Sequence, residues 1–265
     1  MSFRDSDIIG ATDSGLPSRL AGWDIDRAKR RGAEKLGAVL DWVYRWGYAS
    51  SATLVGASGA ADRSYPQRLV RRGLIRPVPT TRCPTVRTIF VLTAEGLDAA
   101  RAGSSLYLDY PELDSRRISQ ATVRHNLIAQ REVLRRLPEY SGWRSDREFG
   151  QNLAEAKRPD GALVDQCGDL WGLEIELSGK WARRLDQMAI RIVAGIAQRT
   201  FAGFHVLCAS AAMAERYRAV LAPGHQIQRW EPGPAGSSKF FPQGCWEPTP
   251  RWVSDSIHIE ILKNP

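Results

Sequence analysis

The stretch RPDGALVDQCGDLWGLEIELSGK, residues 158–180, decides the fold of the C-terminal part of the chain. Its two apolar runs, GALV (161–164) and LWGLEIEL (170–177), predict neighbouring β-strands joined by a polar turn. Glu174 and Glu176 are two residues apart, so both side chains point to one face of the second strand. The apolar residues that alternate with them fill the opposite face. The stretch therefore predicts a strand pair with an acidic patch at one edge of a sheet.

The elements on both sides of this stretch alternate between helix and strand. This alternation predicts an α/β core with a mixed sheet, within a chain that is α+β overall. The predicted elements, in chain order, are a helix Arg117–Leu137, a strand 143–150, the strand pair above, a helix Lys180–Gln198, a strand 201–209, a helix Ala211–Leu221 and a strand Gln226–Trp230. Residues 233–265 are expected to form an irregular tail whose IHIEIL segment (257–262) adds an edge strand.

The strand pair brings together residues that carry metal chemistry. Asp160 follows Pro159 at the start of the first strand, and pairing of the two strands brings it beside Glu174. Carboxylates are the hard oxygen ligands that Mg²⁺ or Mn²⁺ prefers, and such an ion activates water and stabilises phosphate oxygens. Asp160 and Glu174 are the predicted metal ligands, and Glu148 and Glu176 are candidates for a further one. The competing interpretation is that Glu-x-Glu on a strand is a solvated surface.

The N-terminal part has a different pattern, with three short helices, two β-like runs and a closing helix. In order, the predicted elements are helices 33–47, 52–55 and 61–72, strands 74–78 and 87–92, and a helix 94–103. Residues 1–26 are rich in Gly, Ser and Asp and are expected to be a flexible arm. Residues 104–116 are expected to link a domain 27–103 to a domain 117–232.

The positive charge of the chain is concentrated in this N-terminal part. The net charge is +8, and Arg27–Arg87 contains 13 Lys and Arg against 3 Asp and Glu, whereas the rest contains 24 against 26. Such a local excess is typical of a surface that binds nucleic-acid phosphates, although an acidic protein, lipid headgroups or a merely solvated helix face would fit it too. The candidate DNA contacts are Arg63, Gln67, Arg68, Arg71, Arg72, Arg82 and Arg87.

Two resemblances follow from these motifs. VRRGLIRPV (70–78) followed by FVLTAEG (90–96) resembles winged helix-turn-helix DNA-binding domains, over about residues 33–103. Residues 117–230 resemble the PD-(D/E)xK nuclease superfamily, in which the first and second acids bind metal and a lysine two residues later positions or activates water. Pro159-Asp160 matches the PD and Glu174 the second acid, but Glu176 stands where the lysine is expected. The resemblance therefore implies that a migrated lysine serves the site.

The migrated lysine implied by this resemblance is Lys180, with Lys157 as a weaker candidate, and Gln187 is expected to add a polar contact. Together with RHNLIAQREVL (124–134), the two domains resemble the replication-relaxation family of plasmid and mobile-element proteins. That resemblance implies a role in plasmid replication, DNA relaxation or transfer. The expected function is a metal-dependent endonuclease or nickase acting on double-stranded DNA. The alternatives are a non-catalytic DNA-binding accessory factor or regulator with a degenerate nuclease fold, and a protein-binding scaffold.

Several other classes of protein are not expected. No run approaches eighteen apolar residues and no signal peptide is visible, so we expect a protein of the bacterial cytosol or nucleoid with no membrane contact. The four cysteines are scattered, which disfavours a zinc site or a disulfide framework. No nucleophile elbow and no phosphate-binding glycine loop occurs. His125 is expected to have a structural role. A homodimer, or a protein partner from the same mobile element, stays open.

Overall fold

The computed structural model describes residues 25–150, 156–234 and 239–263, and from Lys35 onward the described chain belongs to one compact unit. The expected arm lies outside the described residues except for Ile25 and Asp26, which begin the first helix. The helices are α1 Ile25–Trp46, α2 Ser51–Ser58, α3 Tyr65–Arg71, α4 Ala94–Gly103, α5 Val123–Arg136, α6 Arg183–Ala197, α7 Ala211–Val220 and α8 Val253–Ser256. The strands are β1 Ala49–Ser50, β2 Ile75–Pro79, β3 Thr88–Leu92, β4 Gly142–Ser145, β5 Gly161–Val164, β6 Leu170–Glu176, β7 Gly203–Cys208, β8 Gln226–Pro232, β9 Phe240–Pro248 and β10 Ile257–Ile261.

Local capping residues and turns set the ends of the N-terminal helices. The Ser50 hydroxyl accepts a hydrogen bond from Thr53 N at the start of α2, and Gly59, with φ +58°, ends that helix. Helix α3 begins at Tyr65 rather than near residue 61, because the Asp62 carboxylate accepts from Ser64 N and holds a turn before the helix. β2 and β3 form an antiparallel hairpin, and β1 adds a third strand in the order β1-β3-β2.

The larger sheet has the order β10-β7-β6-β5-β4. β6, β7 and β10 are parallel, whereas β4 and β5 run antiparallel to their neighbours, so the predicted mixed sheet is confirmed. Helix α6 connects β6 to β7, as expected for parallel neighbours. The IHIEIL segment forms the edge strand β10, as predicted. The expected irregular tail is more regular than its composition indicates, because β9 pairs with β8 in a separate hairpin.

The residues expected to link two domains contact both parts of the unit, since Glu112 pairs with Arg147 at 3.5 Å and Tyr110 binds the N-terminal part. The Tyr110 hydroxyl donates to Gly47 O at 2.6 Å and accepts from Leu92 N at 2.9 Å. In addition, Trp42 Nε1 donates to the buried amide of Gln130, which donates in turn to Tyr48 O. Buried hydrogen bonds therefore join α1 to α5. One hydrophobic cluster also includes residues of both helices and of β6.

The packing of α4 depends on a glycine. A Cβ on Gly96 would overlap the carbonyl oxygen of Leu74, which is backbone and cannot rotate away. We therefore expect Gly96→Ala to lower the free energy of unfolding by about 3 kcal/mol, measured by denaturant unfolding. The matched control is Gly37→Ala in α1, where nothing lies within 4 Å of the new methyl group and a gain of about 0.5–1 kcal/mol is expected. Equal effects at the two glycines would contradict the packing described here.

Glu260 on β10 lies in a charged network that makes stability depend on pH. Its carboxylate is 3.5 Å from His205 Nδ1, 3.0 Å from Arg136 Nη2 and 3.5 Å from Arg135 Nη2. The His205 imidazole and the Arg136 guanidinium hold the pKa of Glu260 at about 2, below its ordinary value of 4.5. A carboxyl group with a lowered pKa stabilises the fold above the unfolded-state pKa, and this contribution is lost as the pH falls from about 4.5 towards 2.

We therefore expect Glu260→Gln to be less stable than the wild type at pH 7, and expect the difference to shrink as the pH falls below about 4.5. Free energies of unfolding measured from pH 7 to pH 3 test this expectation. Burial lowers the pKa of His205, so its protonation also destabilises the fold as the pH falls, and His205→Gln should be measured beside it. A Glu260→Gln difference that does not vary with pH would contradict the prediction.

Candidate functional site

The pairing of β5 with β6 positions the first predicted acid. Gly161 on β5 lies opposite Leu173 on β6, and Asp160 N donates to Leu173 O at 2.8 Å. The Asp160 carboxylate in turn accepts from Ile175 N at 2.7 Å. Backbone contacts on both sides therefore hold Asp160 beside the strand that carries Glu174, as the sequence predicted.

The two acids of β6 are buried and are bound by lysines. Glu174 and Glu176 are each only 2% exposed, which excludes the solvated-surface interpretation. Lys157 Nζ lies 2.9 Å from Glu174 Oε2, and Lys180 Nζ lies 3.5 Å from Glu174 Oε1. Lys180 also forms an ion pair with Glu176. Both lysines named from the sequence therefore reach the second acid, although neither stands two residues after it.

Burial and crowding of these acids change their protonation. Burial, together with the neighbouring carboxylate of Glu174, raises the pKa of Asp160 to about 6. Burial raises the pKa of Glu176 to about 7, although Lys180 opposes the change. Burial lowers the pKa of Lys157, but the carboxylates of Glu174 and Asp160 outweigh it and raise that pKa above its ordinary value. Burial therefore disfavours the charged forms of Asp160 and Glu176, whereas the lysines favour them.

Two further side chains belong to the surroundings of Asp160 and were not predicted to do so. His125 at the start of α5 lies 3.4 Å from Asp160 Oδ2, and its Nε2 is 2.9 Å from Ile175 O. Asp146 follows β4, its Oδ2 contacts the Arg158 guanidinium at 3.3 Å, and its buried Oδ1 has no hydrogen-bond partner among the residues that the structure describes. The sequence contains a signal for Asp146, because this residue shares a predicted strand with Glu148. No local pattern marks His125.

Glu148, the third predicted acid, is bound away from Asp160 and Glu174. Its carboxylate accepts from Arg45 Nε at 2.8 Å, from Arg45 Nη2 at 3.1 Å and from Ser145 N at 2.8 Å. The strand expected over 143–150 ends at Ser145, and a 3-10 turn that follows directs Glu148 to α1. Glu148 therefore ties β4 to α1.

A basic cleft adjoins the buried acids. It has a volume of about 160 Å³, and its walls include Lys157 and Lys180 together with Arg184, Gln187 and Arg191 of α6. Arg184, Gln187 and Arg191 are spaced three and four residues apart, so they lie on one face of the helix. Gln187 accepts from Arg183 at 3.2 Å. The cleft places cationic and amide groups beside the carboxylates, an arrangement suited to a phosphate.

All seven candidate DNA contacts are exposed. Gln67, Arg68 and Arg71 lie on α3, and Arg72 ends that helix. The others lie in the turn before α3 and between β2 and β3; they are Arg63, Arg82 and Arg87. Within the described part of the chain, Arg68 is the member of this set that forms an ion pair, to Asp62 at 2.6 Å. The other cationic heads remain available to a polyanion.

The donor set of the acidic site suits a divalent ion of the magnesium class. Among the described residues, no three or more His, Cys, Asp or Glu side chains form a ready cluster for a metal. Mg²⁺, however, keeps several waters and is held by one or two protein carboxylates, which Asp160 and Glu174 supply. Burial raises the pKa of Asp160 and the carboxylate of Glu174 adds to the effect, so a bound cation would favour the charged form of Asp160. The residues present therefore fit Mg²⁺ or Mn²⁺.

Comparison of the chain with protein-family models, with characterised proteins and with solved structures finds no match. Among the described helices, none is both long enough and apolar enough to span a bilayer.

Proposed function

We propose that this chain is a DNA-binding protein with a metal-dependent endonuclease or nickase site, acting on plasmid or mobile-element DNA. The observation that carries the proposal is the contact of Lys157 and Lys180 with the buried carboxylate of Glu174, beside Asp160 on the paired strand. Acids on adjacent strands with a lysine at the second acid are the elements of a PD-(D/E)xK site. Lys180 reaches Glu174 from the loop after β6, which is the migrated-lysine arrangement implied by the resemblance.

The fold supports the same assignment. A helix, α5, precedes β4, β5 and β6, and α6 connects β6 to the parallel strand β7, in the order of a PD-(D/E)xK core. In the N-terminal part, three helices precede the β2–β3 hairpin and α4 follows it, in the order of a winged helix. The α3 face would enter the major groove, and the hairpin residues Arg82 and Arg87 would contact the backbone or the minor groove.

Each side chain of the site has its own role in the proposed reaction. Asp160 and Glu174 would hold Mg²⁺ or Mn²⁺, which supplies an activated water and neutralises phosphate charge. The Lys180 ammonium, fixed by Glu174 and Glu176, orients the attacking water or binds a non-bridging phosphate oxygen. Lys157 binds a neighbouring phosphate. The resemblance implies products with a 3′-hydroxyl and a 5′-phosphate.

The test is an incubation of the purified protein with supercoiled plasmid, in Mn²⁺ or Mg²⁺ and in EDTA, with the products separated on a gel. Nicked or linear plasmid that forms only with the metal supports the proposal. The second candidate function is a non-catalytic DNA-binding accessory factor, which Glu176 at the usual lysine position favours. Plasmid that stays intact in every metal condition, yet is shifted by the protein at low salt, would support the accessory factor instead.

DNA binding through α3 gives a separate expectation. We expect Arg71→Ala/Arg72→Ala to weaken binding to duplex DNA and to reduce the slope of log K against log salt concentration by about 2, because each arginine releases about one counterion. Fluorescence anisotropy with a labelled duplex at several salt concentrations measures both quantities. The control is Arg218→Ala, since Arg218 is an exposed arginine of α7 that pairs with Glu215. An unchanged salt slope in the double variant would assign the DNA contact to another surface.

A further inference from the structure

A groove lies between α6 and the β8–β9 hairpin. Its volume is about 540 Å³, and its walls include Gln187 and Arg191 of α6, Gln198 directly after that helix, and Arg229 and Trp230 of β8. The hairpin is held against the helix by specific contacts: Trp230 Nε1 donates to the Asp186 carboxylate at 2.9 Å, for example. This contact fixes the orientation of the indole ring, so the groove has a preformed aromatic wall.

The groove adjoins the basic cleft beside the candidate active site. It shares Gln187 and Arg191 with the basic cleft, whose other wall carries Lys157 and Lys180. These are the two lysines that contact Glu174. A chain molecule that starts at the acids can therefore follow the α6 face to the hairpin.

The groups along this path fit the repeating chemistry of a nucleic-acid strand. Arg184 and Arg191 supply guanidinium groups for phosphates, and the amide of Gln187 supplies both a donor and an acceptor. Trp230 offers an aromatic ring in the wall of the groove. Phosphate-binding side chains beside an aromatic ring are typical of surfaces that bind unpaired strands, because every base can stack on a ring.

The size of the groove distinguishes an unpaired strand from a duplex. A volume of about 540 Å³ is in the range of pockets for small molecules, so it admits an unpaired nucleotide and its neighbour, but not a double helix. The candidate duplex contacts of α3, in contrast, are exposed side chains of a helix and do not line this groove.

We propose that the α6–hairpin groove binds a single-stranded DNA segment that leads away from the candidate active site. The proposal rests on the proposed nuclease function, because it specifies the substrate of the same site. That substrate is DNA with an unpaired stretch beside the bond to be cut. The phosphates bind Arg184 and Arg191, and a base stacks at Trp230.

The test measures binding without catalysis. Fluorescence anisotropy in EDTA compares a labelled oligothymidylate of about 12 nucleotides with a blunt duplex. We expect Arg184→Ala/Arg191→Ala to weaken single-strand binding about tenfold or more, to lower its salt slope by about 1.4, and to leave duplex affinity within twofold. Arg218→Ala is the control for loss of an arginine elsewhere, since it removes one exposed arginine from α7. A second variant, Trp230→Phe, keeps a ring but loses the contact with Asp186, and is expected to weaken single-strand binding without changing the salt slope.

Thermal unfolding of each variant shows whether a loss of binding reflects a loss of fold. Single-strand affinity that is unchanged in the folded double variant, or that falls equally with duplex affinity, would overturn the groove proposal. Failure of the nuclease proposal has a different signature, namely intact plasmid with Mn²⁺ and Mg²⁺. A folded double variant that loses single-strand affinity but retains duplex affinity supports the groove, whether or not the wild type cuts plasmid.

Discussion

A variant with Asp160→Asn and Glu174→Gln is expected to leave supercoiled plasmid intact under conditions in which the wild type nicks it. Both substitutions keep the size of the side chain and remove the negative charge that a divalent ion needs. A bound metal ion stabilises the transition state by several kcal/mol, so its loss corresponds to a decrease in rate of about 1000-fold or more. Initial rates of plasmid nicking measure the decrease.

Binding measurements separate this loss from unfolding. Asp160 directly precedes β5 and Glu174 lies on β6, whereas the candidate duplex contacts lie in or beside α3 and in the β2–β3 hairpin, so the variant is expected to shift duplex DNA like the wild type. A thermal shift caused by Mn²⁺ in the wild type is expected to disappear in the variant. Plasmid nicking that persists in a folded variant would show that these two acids do not carry the reaction.

Replacement of Lys180 by Met is expected to lower the nicking rate by about 100-fold while DNA binding is retained. Lys180 contacts both Glu174 and Glu176, so its ammonium is the cation fixed nearest to both strand acids. Groups that orient or activate a reacting water typically contribute 100-fold to 10,000-fold to the rate. The control is Lys263→Met, which removes an exposed lysine after β10.

A second substitution distinguishes a role at the reacting water from a purely structural ion pair. Residue 176 is two positions after Glu174, so a lysine there points to the same face of β6. We therefore expect Lys180→Met/Glu176→Lys to nick plasmid at least about tenfold faster than Lys180→Met alone. The second substitution restores the lysine spacing of the PD-(D/E)xK pattern, and a positioned group of this kind contributes on that scale to the rate. If Lys180 only neutralises buried acids, the double variant will regain stability without regaining activity.

The order of the elements was predictable because their signals are local. Alternating and continuous apolar runs predicted β5, β6 and β7, and the spacing of Glu174 and Glu176 placed both carboxylates on one face of a strand. Burial of these residues is dictated by their apolar neighbours, and pairing of β5 with β6 follows from the short turn between them. The position of Asp160 beside Glu174 could therefore be predicted from the amino-acid sequence.

The sequence by itself determined most of the helices and strands, the mixed character of the sheet, the acids at the start of β5 and on β6, and the concentration of basic residues in the N-terminal part. Only the tertiary structure decided which distant residues join them. His125 approaches Asp160 because α5 packs on the sheet, and Glu148 is drawn to Arg45 because α1 shares a core with that same sheet. The groove beside α6 depends on the β8–β9 hairpin. Such contacts arise from the docking of separate elements, which no local spacing of residues specifies.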